Sequence, residues 1–176
     1  MVVHVTHNSG TNNDWYTPPH LVECVRTALG GVIDLDPASS DKANTIVKAG
    51  RYYTEADDGL SQSWEADSVY INPPYSRGCV KAFMEKMVSE FRIGSFPQGI
   101  ALVNNGTETG WFQDAAAACS AVCFPRTRVK YLTADLSKSN SPLQGQAILY
   151  FGDRPDMFET AFDSIGVTML HFGRTV

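Results

Sequence analysis

Val69-Tyr70-Ile71-Asn72-Pro73-Pro74-Tyr75 decides the fold of this chain. Two β-branched residues around a tyrosine read as a short buried strand. The run then stops on an amide, two prolines and a ring. Pro73 pushes Asn72 out of helical geometry, and neither proline has an N–H to continue a ladder. Asn72 brings a side-chain carbonyl, Pro73 a main-chain carbonyl and Tyr75 a flat face. Two acceptors beside a stacking surface suit an exocyclic aromatic amine, such as N6 of adenine. Asn-Pro-Pro alone is an ordinary turn signal; its place at a strand end makes it a candidate site.

Downstream, Val80, Phe83, Met84, Met87, Val88 and Phe91 follow the 3.6-residue period, with charges largely opposite, and predict a helix ending near Gly94. Residues 99–103 predict a buried strand, residues 111–119 a helix and residues 121–124 another strand. Residues 146–151 and 167–172 read as closing strands. Upstream, Thr17-Pro18 reads as a helix cap followed by proline in the first turn, leading to the Gly30-Gly31 stop. Val32-Ile33-Asp34-Leu35 predicts a strand, with Asp36-Pro37-Ala38-Ser39-Ser40 as the loop after it. A short helix is expected over residues 41–50, and residues 51–54 read as a strand or a ligand-facing loop. Trp64 is expected in the core. Strands alternating with helices argue an α/β domain of three layers, its sheet mainly parallel.

Several stretches, in order, carry a resemblance: Asp14-Trp15-Tyr16-Thr17-Pro18, Asp34-Leu35-Asp36-Pro37-Ala38-Ser39, Tyr52-Tyr53-Thr54, Asp58-Gly59-Leu60, Trp64 and Asn72-Pro73-Pro74-Tyr75. Together, over about residues 15 to 152, the chain is similar to the small phage and prophage DNA N6-adenine methyltransferases of the Dam type. The resemblance implies a Rossmann-like fold using S-adenosylmethionine, with an antiparallel closing strand. It also implies one catalytic domain over residues 15–176 behind a flexible segment, residues 1–14. The short interval from Asp36 to Asn72 implies a fold trimmed by a strand and a helix.

On that resemblance, Asn72, Pro73, Pro74 and Tyr75 are the catalytic group. Trp15, Thr17, Pro18, Asp34, Asp36, Pro37, Ala38 and Ser39 are expected to meet the cofactor together with Asn72. Asp57 and Asp58 are expected to meet its adenine, although paired loop aspartates are commonly just solvated. The loop after Asp36 has no glycine before Gly50, so small residues would replace the usual glycines. The target base would leave the duplex, with Tyr75 on one face and Tyr131 or Trp111 on the other. Transfer would be direct, without a covalent enzyme intermediate. Cytosine N4, RNA or protein glutamine are alternative targets, and a non-catalytic subunit is an alternative of another class. An orphan phage enzyme outside a restriction-modification pair is the simplest expectation.

Composition bounds these readings. At 176 residues, 43% hydrophobic and 11% aromatic, the chain can bury a full core. No apolar run approaches the roughly 20 residues of a membrane helix, and no secretory leader is evident, so a bacterial host cytoplasm is expected. Cys24, Cys79, Cys119 and Cys123 are scattered without metal-ligand spacing, and no metal is called for. A net charge of −5 is unusual for a partner of double-stranded DNA. Phosphate contacts need a local basic patch. Arg77, Lys81, Lys86 and Arg92 form one cluster; Arg126, Arg128, Lys130 and Lys138 form another. Either could be a solvated face. Arg126, Arg128, Lys130 and Tyr131, cations interleaved with a ring, are the best DNA-binding candidates, with Arg77 beside the catalytic group.

Overall fold

The computed structural model describes residues 15–76, 78–133, 135–137 and 144–171. The expected flexible segment, residues 1–14, lies outside the described residues, as do Arg77 and Lys138. Among the described residues seven strands form one sheet: β1 (Leu35–Asp36), β2 (Arg51–Tyr52), β3 (Val69–Ile71), β4 (Gly99–Asn104), β5 (Ala121–Pro125), β6 (Gln146–Phe151) and β7 (Gly166–Leu170). Their order is β2-β1-β3-β4-β6-β5-β7. Strand β1 pairs in parallel with β2 and β3, and β3 with β4. The pairs β4–β6, β5–β6 and β5–β7 are antiparallel. Five strands therefore point one way, and two run against them.

A single antiparallel closing strand is thus corrected to two. The reason is α5 (Pro155–Phe162), a helix missing from the sequence reading. It crosses from β6 to β7, which flank β5 and point the same way, as a helical crossover requires. Its signals are proline in the first turn, Asp156 beside it, and Phe158 and Phe162 one turn apart. Both phenylalanines are buried, and Phe158 stacks on Tyr150 with centroids 5.3 Å apart.

The period-2 alternation of the strands sorts the core into two faces. Tyr70, Ile100, Leu102, Ile148 and Tyr150 face one cluster, with α1 (Pro19–Ala28) and α5. Val69, Ile71, Ala101, Val103, Leu149 and Phe151 face the other, with α3 (Cys79–Ile93) and α4 (Gly110–Ala118). Helices cover both faces of a mixed sheet. Between β2 and β3, residues 53–68 form turns and coil only. Trp64 is buried there, stacked on Phe83 with centroids 6.3 Å apart.

Two boundaries shift. The expected strand over residues 32–35 contracts to β1: Val32 is exposed, and the paired register begins at Leu35, opposite Arg51 and Val69. The cap before α1 is Pro18 rather than Thr17, with no side-chain bond to the helix. The Thr17 hydroxyl bonds the Tyr70 hydroxyl instead, at 2.7 Å in the interior.

Candidate active site

The carboxyl ends of β1 and β3 open onto one cleft of about 640 Å³, within the usual range of small-molecule sites and at the strand ends where open α/β sheets bind ligands. Three segments build it. The β1–α2 loop, leading into α2 (Asp41–Val47), supplies Asp36, Pro37, Ala38 and Ser39. The turn after β2 supplies Asp58 and Gly59, and β3 delivers Asn72, Pro73, Pro74 and Tyr75. Trp15 and Thr17 close one side.

The first two segments are locked together. The Ser39 N–H donates to the Tyr53 carbonyl at 2.8 Å, and the Tyr53 N–H donates to the Asp36 carbonyl at 3.0 Å. Gly59 then passes so near that a Cβ there would lie 1.9 Å from the Pro37 carbonyl oxygen. Only glycine fits that approach. The Trp64 indole N–H donates to the Gly59 carbonyl at 2.8 Å, holding the turn from beneath.

The Asn72 side-chain NH2 donates to the Trp15 carbonyl at 3.1 Å. A carbonyl can only accept, so the bond fixes which end of the amide it takes; Oδ1 is the other end and lies 3.5 Å from the Tyr75 hydroxyl. The Tyr75 hydroxyl also lies 3.4 Å from that of Tyr131. Burial pushes the Tyr75 phenol up to about 12, so it stays neutral at ordinary pH.

Asp36 is 3% exposed. Burial pushes its carboxyl up to about 7. The Ala38 N–H, donating at 3.2 Å, and the nearby Ser39 hydroxyl pull the other way without offsetting it. Ser39 Oγ is itself buried with no partner in hydrogen-bond geometry. Asp41, Glu55 and Asp58 line the cleft as well, and among the described residues no lysine or arginine does.

Of the expected cofactor residues, Pro18, Asp34 and Asp57 do not line the cleft. Pro18 is buried at the start of α1. The Asp34 carboxylate accepts from the Asp67 N–H at 3.0 Å, tying down the approach to β3. Asp57 accepts from the Thr54 N–H and hydroxyl at 2.8 and 2.7 Å, bonds that hold its carboxyl below the usual range. Asp58, with a left-handed φ of 50°, lines the cleft.

The expected stacking partners are corrected. Tyr131 is 1% exposed, packed beside Trp15 with centroids 6.1 Å apart, and offers no open face. Trp111 lies edge-on to Phe112 in a separate groove between α3 and α4. Arg126, Arg128 and Lys130 are exposed on the segment that leads into Tyr131. In the other basic cluster, Lys81 and Lys86 pair with Glu85 and Glu90 along α3, the bland alternative for that face.

The cleft also uses residues with no role in the sequence reading: Tyr70, Phe83, Leu60 and Asp41. Tyr70 had a readable signal, being the one polar side chain within the Val69–Ile71 strand. Phe83 had none, because its spacing makes it one more core position of α3.

Among the described residues no helix is long and apolar enough to cross a membrane. The family model described as DNA N-6-adenine-methyltransferase (Dam) matches residues 5–163. No curated protein matches the chain. The chain belongs to that DNA adenine methyltransferase family, as the motif order implied.

Proposed function

With that membership as premise, we propose that the protein transfers a methyl group from S-adenosylmethionine to N6 of an adenine flipped out of double-stranded DNA. The observation that carries the reading is the Asn72 amide. Its NH2 end is engaged by the Trp15 carbonyl, so its acceptor end is the one available to an amino group.

The cleft suits the cofactor. Its carboxylates and, among the described residues, its lack of lysine or arginine favour a cationic ligand over a phosphate-bearing nucleotide. The buried Asp36 carboxylate and the Ser39 hydroxyl beside it bring further hydrogen-bonding groups to the lining. Trp15, Thr17, Asp36, Pro37, Ala38, Ser39 and Asp58 would hold the cofactor, which supplies an electrophilic methyl on a sulfonium.

The chain's own residues orient the target. Asn72 Oδ1 and the Pro73 carbonyl accept the two N6 hydrogens, and this keeps the nitrogen lone pair from delocalising into the ring. That lone pair would form the new N–C bond as the methyl–sulfur bond breaks, its electron pair staying on sulfur as a neutral thioether, and the proton leaves once the nitrogen is methylated. No strong base is needed, and orientation supplies much of the rate. Tyr75 lies against the base, while Arg126, Arg128 and Lys130 meet phosphates. Residues 15–176 act as one Rossmann-like catalytic domain, in an enzyme that works without a restriction partner.

The test is transfer of labelled methyl from S-adenosylmethionine to unmethylated DNA, followed by digestion to nucleosides. Label in N6-methyladenine is expected. Label in N4-methylcytosine would move the target base, and no label in DNA would remove the reading.

A further inference from the structure

Asn72 works as an acceptor only while its amide keeps one orientation, and the chain that fixes that orientation starts away from the reacting atoms. An amide side chain has two nearly isosteric states related by a half-turn. In the wrong state it would present NH2 to an amino group, donor against donor. The Trp15 carbonyl selects the correct state, so the placement of that carbonyl matters.

Residues 15–17 are held at two further points. The Tyr16 N–H donates to the Leu132 carbonyl at 2.9 Å, and the Leu132 N–H donates to the Tyr16 carbonyl at 2.8 Å. Thr17 Oγ1 bonds the Tyr70 hydroxyl at 2.7 Å. The first attachment leads to a surface segment; the second is to β3, the strand that carries Asn72. Tyr70 is fully buried, which favours a neutral phenol, and it stands two residues before Asn72. It therefore ties the strap to the frame of the residue the strap orients.

We propose that Tyr70 is a positioning residue for the transfer reaction: bonded to Thr17, it holds the 15–17 strap so that the Trp15 carbonyl keeps Asn72 Oδ1 toward the target. The proposal rests on Asn72 as the acceptor for the amine. It assigns Tyr70 no contact with the reacting atoms. Tyr70→Phe removes the hydroxyl and leaves the ring in the core.

The experiment uses the full chain and two readouts. Methyl transfer to unmethylated DNA gives kcat and KM. NMR of the ligand-free protein follows the Asn72 side-chain NH2 pair, assigned by its disappearance in Asn72→Ala. In Tyr70→Phe, kcat should fall about ten-fold or more, the scale set by small losses of alignment. KM for both substrates should change less than about three-fold, and the Asn72 NH2 should lose protection from exchange. Thr17→Val deletes the other hydroxyl, and the double variant should be no slower than the slower single. A folded Tyr70→Phe protein with unchanged kcat and an unchanged Asn72 signal would overturn the proposal. Additive losses in the double variant would do the same. If the wild-type chain fails to methylate DNA, the reaction assignment falls on its own. The amide spectrum alone then decides whether Tyr70 holds Asn72.

Discussion

Asp36→Asn perturbs the most strained charge in the cleft. The wild-type carboxylate is buried, and although the Ser39 hydroxyl and the Ala38 N–H favour its charged form, burial outweighs them and its pKa rises from 3.8 to about 7. The folded protein thus keeps a proton that the unfolded chain releases near pH 4. Stability contributed by this group is full below that pH, falls as pH rises towards 7, and is level above. Between pH 5 and pH 8 the shift corresponds to a loss of roughly 2–3 kcal/mol for the ligand-free protein. Asparagine is nearly isosteric and carries no charge, so the variant should lack that loss while keeping every other titration. Urea unfolding at pH 5, 6, 7 and 8 measures the difference directly. The wild type should lose ground to Asp36→Asn across the series, and the variant should be the more stable at pH 8. A cation in the cleft reverses the effect by favouring the ionised form. S-adenosylmethionine should bind more tightly as pH rises from 6 to 8, and the dependence should flatten in the variant. Parallel stability curves for the two proteins would refute the reasoning.

Gly59→Ala should force the turn after β2 off the β1–α2 loop, because its Cβ meets the Pro37 carbonyl at 1.9 Å. Cofactor affinity, by calorimetry, should drop, and stability should fall by about 1–3 kcal/mol on the scale of overpacked sites. Arg128→Ala should weaken DNA binding about equally across sequences and reduce the salt slope by about one. An unchanged slope in a binding titration would take Arg128 off the phosphate surface.

The readable parts of the chain were those with local causes. Two prolines end β3 wherever the chain goes, and the stripe of α3 is periodic by itself, so both stand as expected. The α5 helix is equally local in its signals, Pro155 and Asp156, but its apolar face is short and lies between two strands. Other features depend on distant residues. Thr17 has the chemistry of a cap, but Tyr70, 53 residues away, takes its hydroxyl. Tyr131 looks like a stacking ring until Trp15 and Tyr75 cover it. Asp57 and Asp58 are indistinguishable in sequence. Thr54 binds one of them, and a left-handed backbone brings the other to the cleft. Cleft membership was legible where a motif carried it, as for Asp36 to Ser39 and Asn72 to Tyr75.

The central claim is that the Asn72 amide receives the target amine in a cleft whose cofactor residues stand without it. Single-turnover methylation by Asn72→Ala, beside calorimetric binding of S-adenosylmethionine, tests it most directly. The account expects the transfer rate to fall by on the order of 10²-fold or more, the scale for deleting one preorganised polar partner, with cofactor affinity largely kept. Transfer near the wild-type rate, with the cofactor bound, would contradict it.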